Sequence, residues 1–410
     1  MENNEYKLID TSSDKEKDLS ENESNSFEVI EIKNEQQEQL KNNQKRLYWA
    51  DCLRIYSMFN IILFHCANYS YEKQLVMERN SNFIYVCIYN CFTAFGVPVF
   101  VMLSGTFFLN PNKPFTFSRL LKKNILRLFT SFYFWSAVNA FFNFIKEKGI
   151  LSIFSLDFIK EFMIGFLKGE EYLWFILMIT GCYLCIPFLR LFSNDVLLMK
   201  YFLGLWIFWG SLVPLIRDTL KICNIEALTD IFTTWIDRWH FNFTLEYIGY
   251  FVCGYYVFNY INIKSIKIRV ILYILCILNF ILYTSFSIWY ELNNPSLFAY
   301  LRGDLSIFVI IYSIILEIFF KHEIGRINFS DKAIKVINKL STLSFGMYLT
   351  HMVVRSLYFD VFNINQEDIG NIIHYSPLFG VPIIFILISG LSFLICYIIS
   401  KIPILKRYVL

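Results

Sequence analysis

Charged residues are scarce in this chain. Asp, Glu, Lys and Arg make up 17% of the 410 residues, whereas a soluble domain carries roughly a quarter. Hydrophobic residues make up 56%, and apolar blocks long enough to span a bilayer recur from Tyr48 to Leu410. This composition excludes an ordinary soluble domain. We therefore predict an all-α, polytopic membrane protein embedded in a lipid bilayer.

Several motifs of soluble enzymes are also missing. The sequence has no Walker loop, no HExxH, no GxSxG and no EF-hand spacing, so ATP hydrolysis and metalloprotease chemistry have no support. Cys182 and Cys185 have CxxC spacing, but they lie mid-helix without a second pair and are better explained as buried apolar residues. We expect no bound metal, no bound cofactor and no nucleic-acid partner.

The first 47 residues differ from the rest of the chain. Residues 1–46 contain 12 acidic and 7 basic residues and few apolar ones, so this stretch cannot bury enough surface to fold alone. We predict a disordered acidic tail over 1–47 and a membrane domain over 48–410. The acidic start lacks the features of a cleavable signal peptide, and we expect the first apolar helix to direct insertion.

The apolar blocks predict about ten membrane spans. They cover residues 48–68, 84–108, 124–144, 172–192, 199–216, 243–261, 269–289, 300–320, 343–360 and 378–399. Ten spans place both termini on one side of the membrane. The connections on that side hold about twice as many Lys and Arg residues as the others, which predicts that both termini are cytoplasmic.

Span 1 contains two polar residues of particular interest, Arg54 and His65. A charge at the bilayer centre costs roughly 3 kcal/mol or more, so a retained one faces protein or water. Eleven helical steps return to nearly the same direction and rise about 16 Å, so both side chains share one face, with Arg54 near the cytoplasmic end. A snorkelling arginine and a hydrogen-bonded histidine would explain them separately, whereas together they indicate a polar track. Asp51, three residues before Arg54, can pair with it.

Span 9 repeats this pattern. His351 and Arg355 are four residues apart and share a helix face, with Tyr348 one turn earlier. Glu246 in span 6 and Asp304 near the start of span 8 are expected at a similar outer depth. A structural ion-pair network and a functional site explain these residues equally well.

Weaker signals come from other parts of the membrane domain. Pro98 lacks a backbone donor and predicts a kink in span 2. Ser104, next to Gly105, serves either close helix packing or hydrogen bonding to a ligand. Trp174, in YLWF at 172–175, is most simply an interfacial anchor. One cytoplasmic connection carries a basic run that either binds phosphates or sets topology: Lys113, Arg119, Lys122, Lys123 and Arg127.

Four sequence blocks, in this order on a chain of about ten spans, form a specific pattern. They are YWADCLRIYSMFNIILFHC, which contains the Arg-x10-His spacing of Arg54 and His65; GVPVFVMLSG at 96–105; YLWFILMITGCYLCIPFL at 172–189; and LSTLSFGMYLTH at 340–351. With these blocks, residues 48–410 resemble the acyltransferase 3 family of polytopic membrane acyltransferases. The chain is most similar to the bacterial branch that O-acetylates surface glycans, which would place it in a plasma membrane.

The resemblance implies a cytoplasmic acyl-CoA donor, usually acetyl-CoA, and an acceptor hydroxyl on an extracytoplasmic or lipid-linked glycan. It implies that His65 acts as general base, that Arg54 binds the donor, and that His351 is a second acid or base, or a structural partner. Positive charge or a hydrogen-bond donor at the developing oxyanion would come from Tyr348, Arg355 or Ser104. Trp174 and Glu246 are further candidates for substrate binding.

Two other classes stay open at this point. A proton-coupled secondary transporter of a small polar solute also carries Arg, His and Glu inside its spans, although this chain shows no two-half symmetry. A non-catalytic scaffold with the same fold is disfavoured because Arg54 and His65 are both intact. A requirement for acetyl-CoA would distinguish the enzyme from the transporter.

Overall fold

The computed structural model of the protein describes residues 46–75, 81–239, 246–293, 303–358 and 376–409. Within these ranges the chain is helical and contains no strand. The stretch Tyr48–Leu410 forms one compact unit. Almost all of the predicted tail, residues 1–45, lies outside the described residues, so its predicted disorder stays a prediction.

In chain order, the main helices of the described residues are α1 Tyr48–Leu75, α2 Ser81–Thr93, α3 Gly96–Phe108, α4 Leu126–Lys148, α5 Leu156–Lys168, α6 Trp174–Phe192, α7 Val196–Ile207, α8 Val213–Ile222, α9 Glu226–Trp239, α10 Ile248–Tyr260, α11 Ile266–Asn293, α12 Ile307–His322, α13 Asp331–Ser356, α14 Pro377–Ile399 and α15 Pro403–Tyr408. A π-helical turn, Leu120–Ile125, leads into α4, and a second, Phe208–Leu212, joins α7 to α8.

Five helical stretches in the described ranges are long and apolar enough to cross a bilayer. They are Ser81–Phe108, Asp157–Phe192, Val196–Ile222, Ile266–Leu292 and Pro377–Ile399. The prediction of an all-α integral membrane protein is therefore confirmed. Each of the ten predicted spans overlaps a helix, but the count of ten membrane crossings stays a prediction.

The helices differ from the predicted spans in two places that have clear physical causes. The span predicted at 84–108 is broken at Ala94 and Phe95, between α2 and α3. Pro98 has no N–H to donate to the Ala94 carbonyl four residues earlier, and its ring crowds that carbonyl, so the break lies one turn before the proline. The helix predicted to begin at 343 begins instead at Asp331, because Ser330 caps it by accepting from the Ala333 N–H.

The tightest helix packing brings α3 against α10. A Cβ atom on Gly105 would lie 1.7 Å from the carbonyl oxygen of Phe251, and one on Gly254 would lie 2.1 Å from the carbonyl oxygen of Met102. Small residues at such contacts let two helix backbones touch in a membrane protein. The helix α3 also packs against α1, and α1 packs against α13 and α14. This arrangement makes α1 and α13, which carry the two intramembrane histidines, direct neighbours.

The contact between α3 and α10 makes a testable prediction. Gly105→Ala should destabilise the fold by roughly 1–3 kcal/mol or more, because the added methyl cannot avoid the Phe251 carbonyl unless α3 moves away from α10. Gly181→Ala on α6 is the matched control, since nothing lies within 4 Å of its added methyl. Thermal unfolding of the purified variants measures the difference. Equal unfolding temperatures would contradict the close contact.

Candidate active site

The helices α1 and α13 bring His65 and His351 together. Their ring centroids lie 5.0 Å apart, and we call these two residues the histidine pair. His351 is only 1% exposed, whereas His65 is half-buried. The Nδ1 atom of His351 is hydrogen-bonded to the Tyr348 carbonyl. A carbonyl only accepts, so Nδ1 carries the proton, and in the neutral form of the ring Nε2 is the nitrogen with the lone pair. Nε2 is buried and has no hydrogen-bond partner among the described residues.

Two tyrosines hold His351 in place. The rings of Tyr172 and Tyr348 each lie 5.7 Å from the His351 ring. The Tyr172 hydroxyl donates to the Leu349 carbonyl at 3.0 Å and accepts from Asn139 Nδ2 at 2.9 Å. The Tyr348 hydroxyl donates in turn to the Tyr172 carbonyl. These bonds tie the segment before α6 to α13 and fix the wall on one side of the histidine pair.

Arg54 lies on the same helix as His65 but three turns away. Its Nη1 donates to Asp51 Oδ1 at 3.2 Å and to Ser341 Oγ at 3.1 Å, and Ser341 Oγ donates to Asp51. The predicted pairing with Asp51 is therefore present. The guanidinium also lies 5.8 Å from the centre of the Phe107 ring, and 30% of the side chain is exposed. Arg54 is thus held in one orientation while part of it faces open space.

That open space is a cavity of about 1200 Å³ between α1, α3, α4, α6, α13 and α15. We call it the basic cavity. Seven cationic side chains line it: Arg54, Arg119, Lys122, Lys123, Arg127, Lys406 and Arg407. In the part of the chain that the structure describes, no acidic side chain lines it. A concave concentration of positive charge of this kind is suited to a polyanionic ligand.

The π-helical turn Leu120–Ile125 shapes one wall of this cavity. Lys122, Lys123 and Asn124 are consecutive residues, yet all three line it. A π-helical turn is wider than an α-helical turn and often marks a functional site. Most of the basic run noted in the sequence is therefore placed at the cavity. Lys113 is the exception: it lies 5.5 Å from the Phe107 ring, does not line the cavity, and burial lowers its pKa.

An aromatic layer separates the basic cavity from the histidine pair. Phe100 and Phe175 line the cavity, and their ring centroids are 5.9 Å apart. The Phe175 ring lies 5.5 Å from Tyr348, which contacts His351. Neither histidine lines the cavity. A ligand in the cavity is therefore separated from the histidine pair by aromatic rings.

The other predicted site residues fall into two groups. Ser104 lines the basic cavity, although its hydroxyl donates to the Phe100 carbonyl of its own helix at 3.1 Å. Arg355 lies half-buried one turn beyond His351. Trp174 and Glu246 lie elsewhere: the Trp174 ring packs 5.4 Å from Tyr247, and the Glu246 side chain is exposed.

A family model described as an acyltransferase domain matches residues 47–401, from the start of α1 to just beyond the end of α14. The chain belongs to the acyltransferase 3 family. Comparison with curated proteins and with solved structures finds no match. The family identifies the protein as a membrane acyltransferase, and the histidine pair with the basic cavity is its candidate active site.

Sequence reasoning missed three residues of this candidate site. Tyr172 belongs to the YLWF motif and opens one of the family blocks, but neither pattern indicates that its buried hydroxyl bridges α4 and α13. Lys406 and Arg407 carried no motif signal, because they lie more than 270 positions from the basic run that they face across the cavity. The sequence shows that both residues are positively charged, but it does not indicate that their side chains line the basic cavity.

The hydrogen bonds of Tyr172 make it a positioning residue for His351. Tyr172→Phe should lower the free energy of unfolding by about 1–2 kcal/mol, because Leu349 and Asn139 each lose a buried partner. The acyl-transfer rate should fall by about tenfold, since the wall beside His351 loosens. Tyr201→Phe is the control, as Tyr201 is 65% exposed. Thermal unfolding and transfer assays on both variants give the measurement, and a Tyr172→Phe protein indistinguishable from the control would refute the role.

Proposed function

We propose that this acyltransferase moves an acyl group, chiefly acetyl, from cytoplasmic acyl-CoA to a hydroxyl of an extracytoplasmic or lipid-linked glycan. The observation that carries the proposal is the basic cavity, which the ring contacts of Phe175 and Tyr348 link to the histidine pair. The cavity supplies a site for the charged donor. The pair supplies the proton acceptor that transfer to a hydroxyl needs.

The charge of the cavity fits coenzyme A. Its phosphate monoester and diphosphate together carry about four negative charges at neutral pH. Arginine binds such groups through planar, bidentate hydrogen bonds, and lysine adds compact positive charge. Arg54 and His65 are separated by about 16 Å along α1, a span comparable to an extended pantetheine arm. Phosphates bound near Arg54 would therefore let the thioester reach the level of the histidines. Arg54 is accordingly proposed to bind the phosphates of the donor and not its thioester carbonyl.

The transfer step uses the histidine pair. His65 takes the proton of the acceptor hydroxyl while the oxygen attacks the thioester carbonyl. The new C–O bond forms, the C–S bond breaks, and the proton passes from His65 to the departing CoA thiolate. His351 faces this exchange with the lone pair of Nε2, which supports a role as a second acid or base. The aromatic layer at Phe100 and Phe175 must open for the thioester to pass.

Of the three candidates for stabilising the oxyanion, we favour Arg355 for its position and its charge. The Tyr348 hydroxyl already donates to the Tyr172 carbonyl, so it is better suited to positioning. The Ser104 hydroxyl donates to its own helix on the cavity side of the aromatic layer. Arg355 is one turn from His351 and carries a permanent positive charge, which the developing oxyanion requires.

The acceptor is proposed to bind on the side of Trp174. This residue lies two positions after Tyr172, which contacts His351, and 40% of it is exposed. It packs against Tyr247, whose hydroxyl donates to Asp304 Oδ2 at 2.6 Å. Aromatic faces and carboxylates together suit sugar rings, which have apolar faces and polar edges. The exposed carboxylate of Glu246 lies next to Tyr247 in the chain and supports the same assignment.

The decisive experiment uses purified protein in lipid with acetyl-CoA labelled in the acetyl group. Wild type should release free CoA and label a membrane glycan. His65→Ala should lose transfer by about 100-fold or more, as expected for a general base, while its affinity for CoA is unchanged. His322→Gln is the control, because His322 is a histidine at the end of α12 whose Nε2 accepts from the Ile263 N–H.

Two results would contradict the proposal. Full transfer by a folded His65→Ala protein would remove His65 from the role of base. If wild type releases no CoA in the presence of membrane glycans, acetyl-CoA is not the donor. Uptake assays with a small polar solute would then test the transporter hypothesis.

A further inference from the structure

We propose that α15 is a phosphate-binding clamp of the basic cavity, in which Lys406 and Arg407 hold the phosphates of the donor. The proposal rests on the proposed function, because it takes coenzyme A as the phosphate-bearing ligand. It adds an element that lies beyond residues 47–401, the part of the chain that the family model matches.

The position of α15 is the first observation. Lys406, Arg407 and Tyr408 all line the basic cavity, and Lys406 and Arg407 are exposed to it. The wall formed by Arg119, Lys122 and Lys123 lines the same space. A ligand in the cavity therefore meets positive charge from two parts of the chain that are far apart in sequence.

The second observation is that α15 is fastened to α4. Thr130 Oγ1 donates to the Tyr408 carbonyl at 2.6 Å, and Ser131 Oγ donates to the Tyr408 and Val409 carbonyls at 3.2 and 3.3 Å. The last carbonyls of a helix have no partner inside it, and these two hydroxyls supply one. The Val409 side chain is only 4% exposed. The helix thus has a fixed place, and its two cations are not on a loose terminus.

The electrostatics of this placement favour an anion. Asp51 pairs with Arg54, but Lys406 and Arg407 share the cavity with Arg119, Lys122 and Lys123, and no described acidic side chain lines the cavity to offset this repulsion. Phosphate groups would offset it through charge-assisted hydrogen bonds. The Arg407 guanidinium lies 5.2 Å from the Tyr408 ring, which orients it without neutralising it.

Topology alone does not explain the direction of these two side chains. Lys339 and Lys401 lie near the same end of the bundle, but they stack on Tyr397 at 4.0 and 4.9 Å and do not line the cavity. Ordinary topogenic charge has no reason to enter a cavity. Lys339 and Lys401 therefore serve as a matched control of equal charge.

The test compares donors with and without phosphate in phosphatidylcholine bilayers, where no anionic lipid headgroup competes. The double variant Lys406→Ala/Arg407→Ala should raise the KM for acetyl-CoA by about 10- to 100-fold, the loss expected for one or two charge-assisted bonds. The KM for S-acetylpantetheine, which has no phosphate, should change less than about twofold. The control double variant Lys339→Ala/Lys401→Ala should match wild type, and Lys406→Arg/Arg407→Lys should restore most of the affinity.

The salt dependence of CoA binding is a second measurement, and it does not require S-acetylpantetheine to be a good substrate. The affinity of wild type for CoA should fall more steeply with added NaCl than that of the Ala double variant. Equal losses for both donors, or a salt dependence identical to wild type, would make α15 a purely structural element and overturn the clamp. The proposed function fails separately, and visibly, if wild type neither binds CoA nor releases it from acetyl-CoA.

Discussion

The contact between α1 and α13 is the constraint on which the rest of the site depends. The two helices contact each other through functional side chains at two levels along their length. At one level, Asp51 and Ser341 hold the Arg54 guanidinium. At the other level, His65 and His351 lie with their rings 5.0 Å apart. Because both levels use one pair of helices, a shift of α1 against α13 would change the cation and the histidines together.

The two levels have different surroundings. In the proposed mechanism, the donor phosphates bind at the Arg54 level and acyl transfer takes place at the histidine level. The basic cavity surrounds the Arg54 level with cations from two further segments, residues 119–127 and α15. The histidine level is enclosed by tyrosines whose hydroxyls bond to backbone and to Asn139. In the same proposed mechanism, the aromatic layer keeps the phosphates of the donor apart from the histidine pair until the thioester passes. The acyl group would then cross most of the site while the charged part of the donor stays among the cations.

The sequence predicted what lies within a single helix and missed what lies between helices. The spacing of Arg54 and His65, the pairing of Asp51 with Arg54, and the family itself were all readable from local pattern, and the family assignment is confirmed. The contact of His65 with His351 joins positions far apart in the chain, so no helical period contains it. The same holds for Lys406 and Arg407, whose approach to the basic run depends on how α15 folds back onto α4. The π-helical turn that aims Lys122 and Lys123 also has no signal in apolar periodicity. The hypothesis of a secondary transporter is disfavoured, because the family is one of acyltransferases.

Sidedness is the most direct test of the central claim, which is that donor and acceptor reach the site from opposite faces of the membrane. The protein would be reconstituted into vesicles with a protease-cleavable tag after α15, so that cleavage reports which molecules expose the cavity mouth outward. Acetyl-CoA, which does not cross bilayers, would then be added outside only, with the membrane glycan acceptor enclosed inside the vesicles. The account predicts that CoA release follows the fraction of molecules whose tag is cleaved. Release that follows the uncleaved fraction would contradict it.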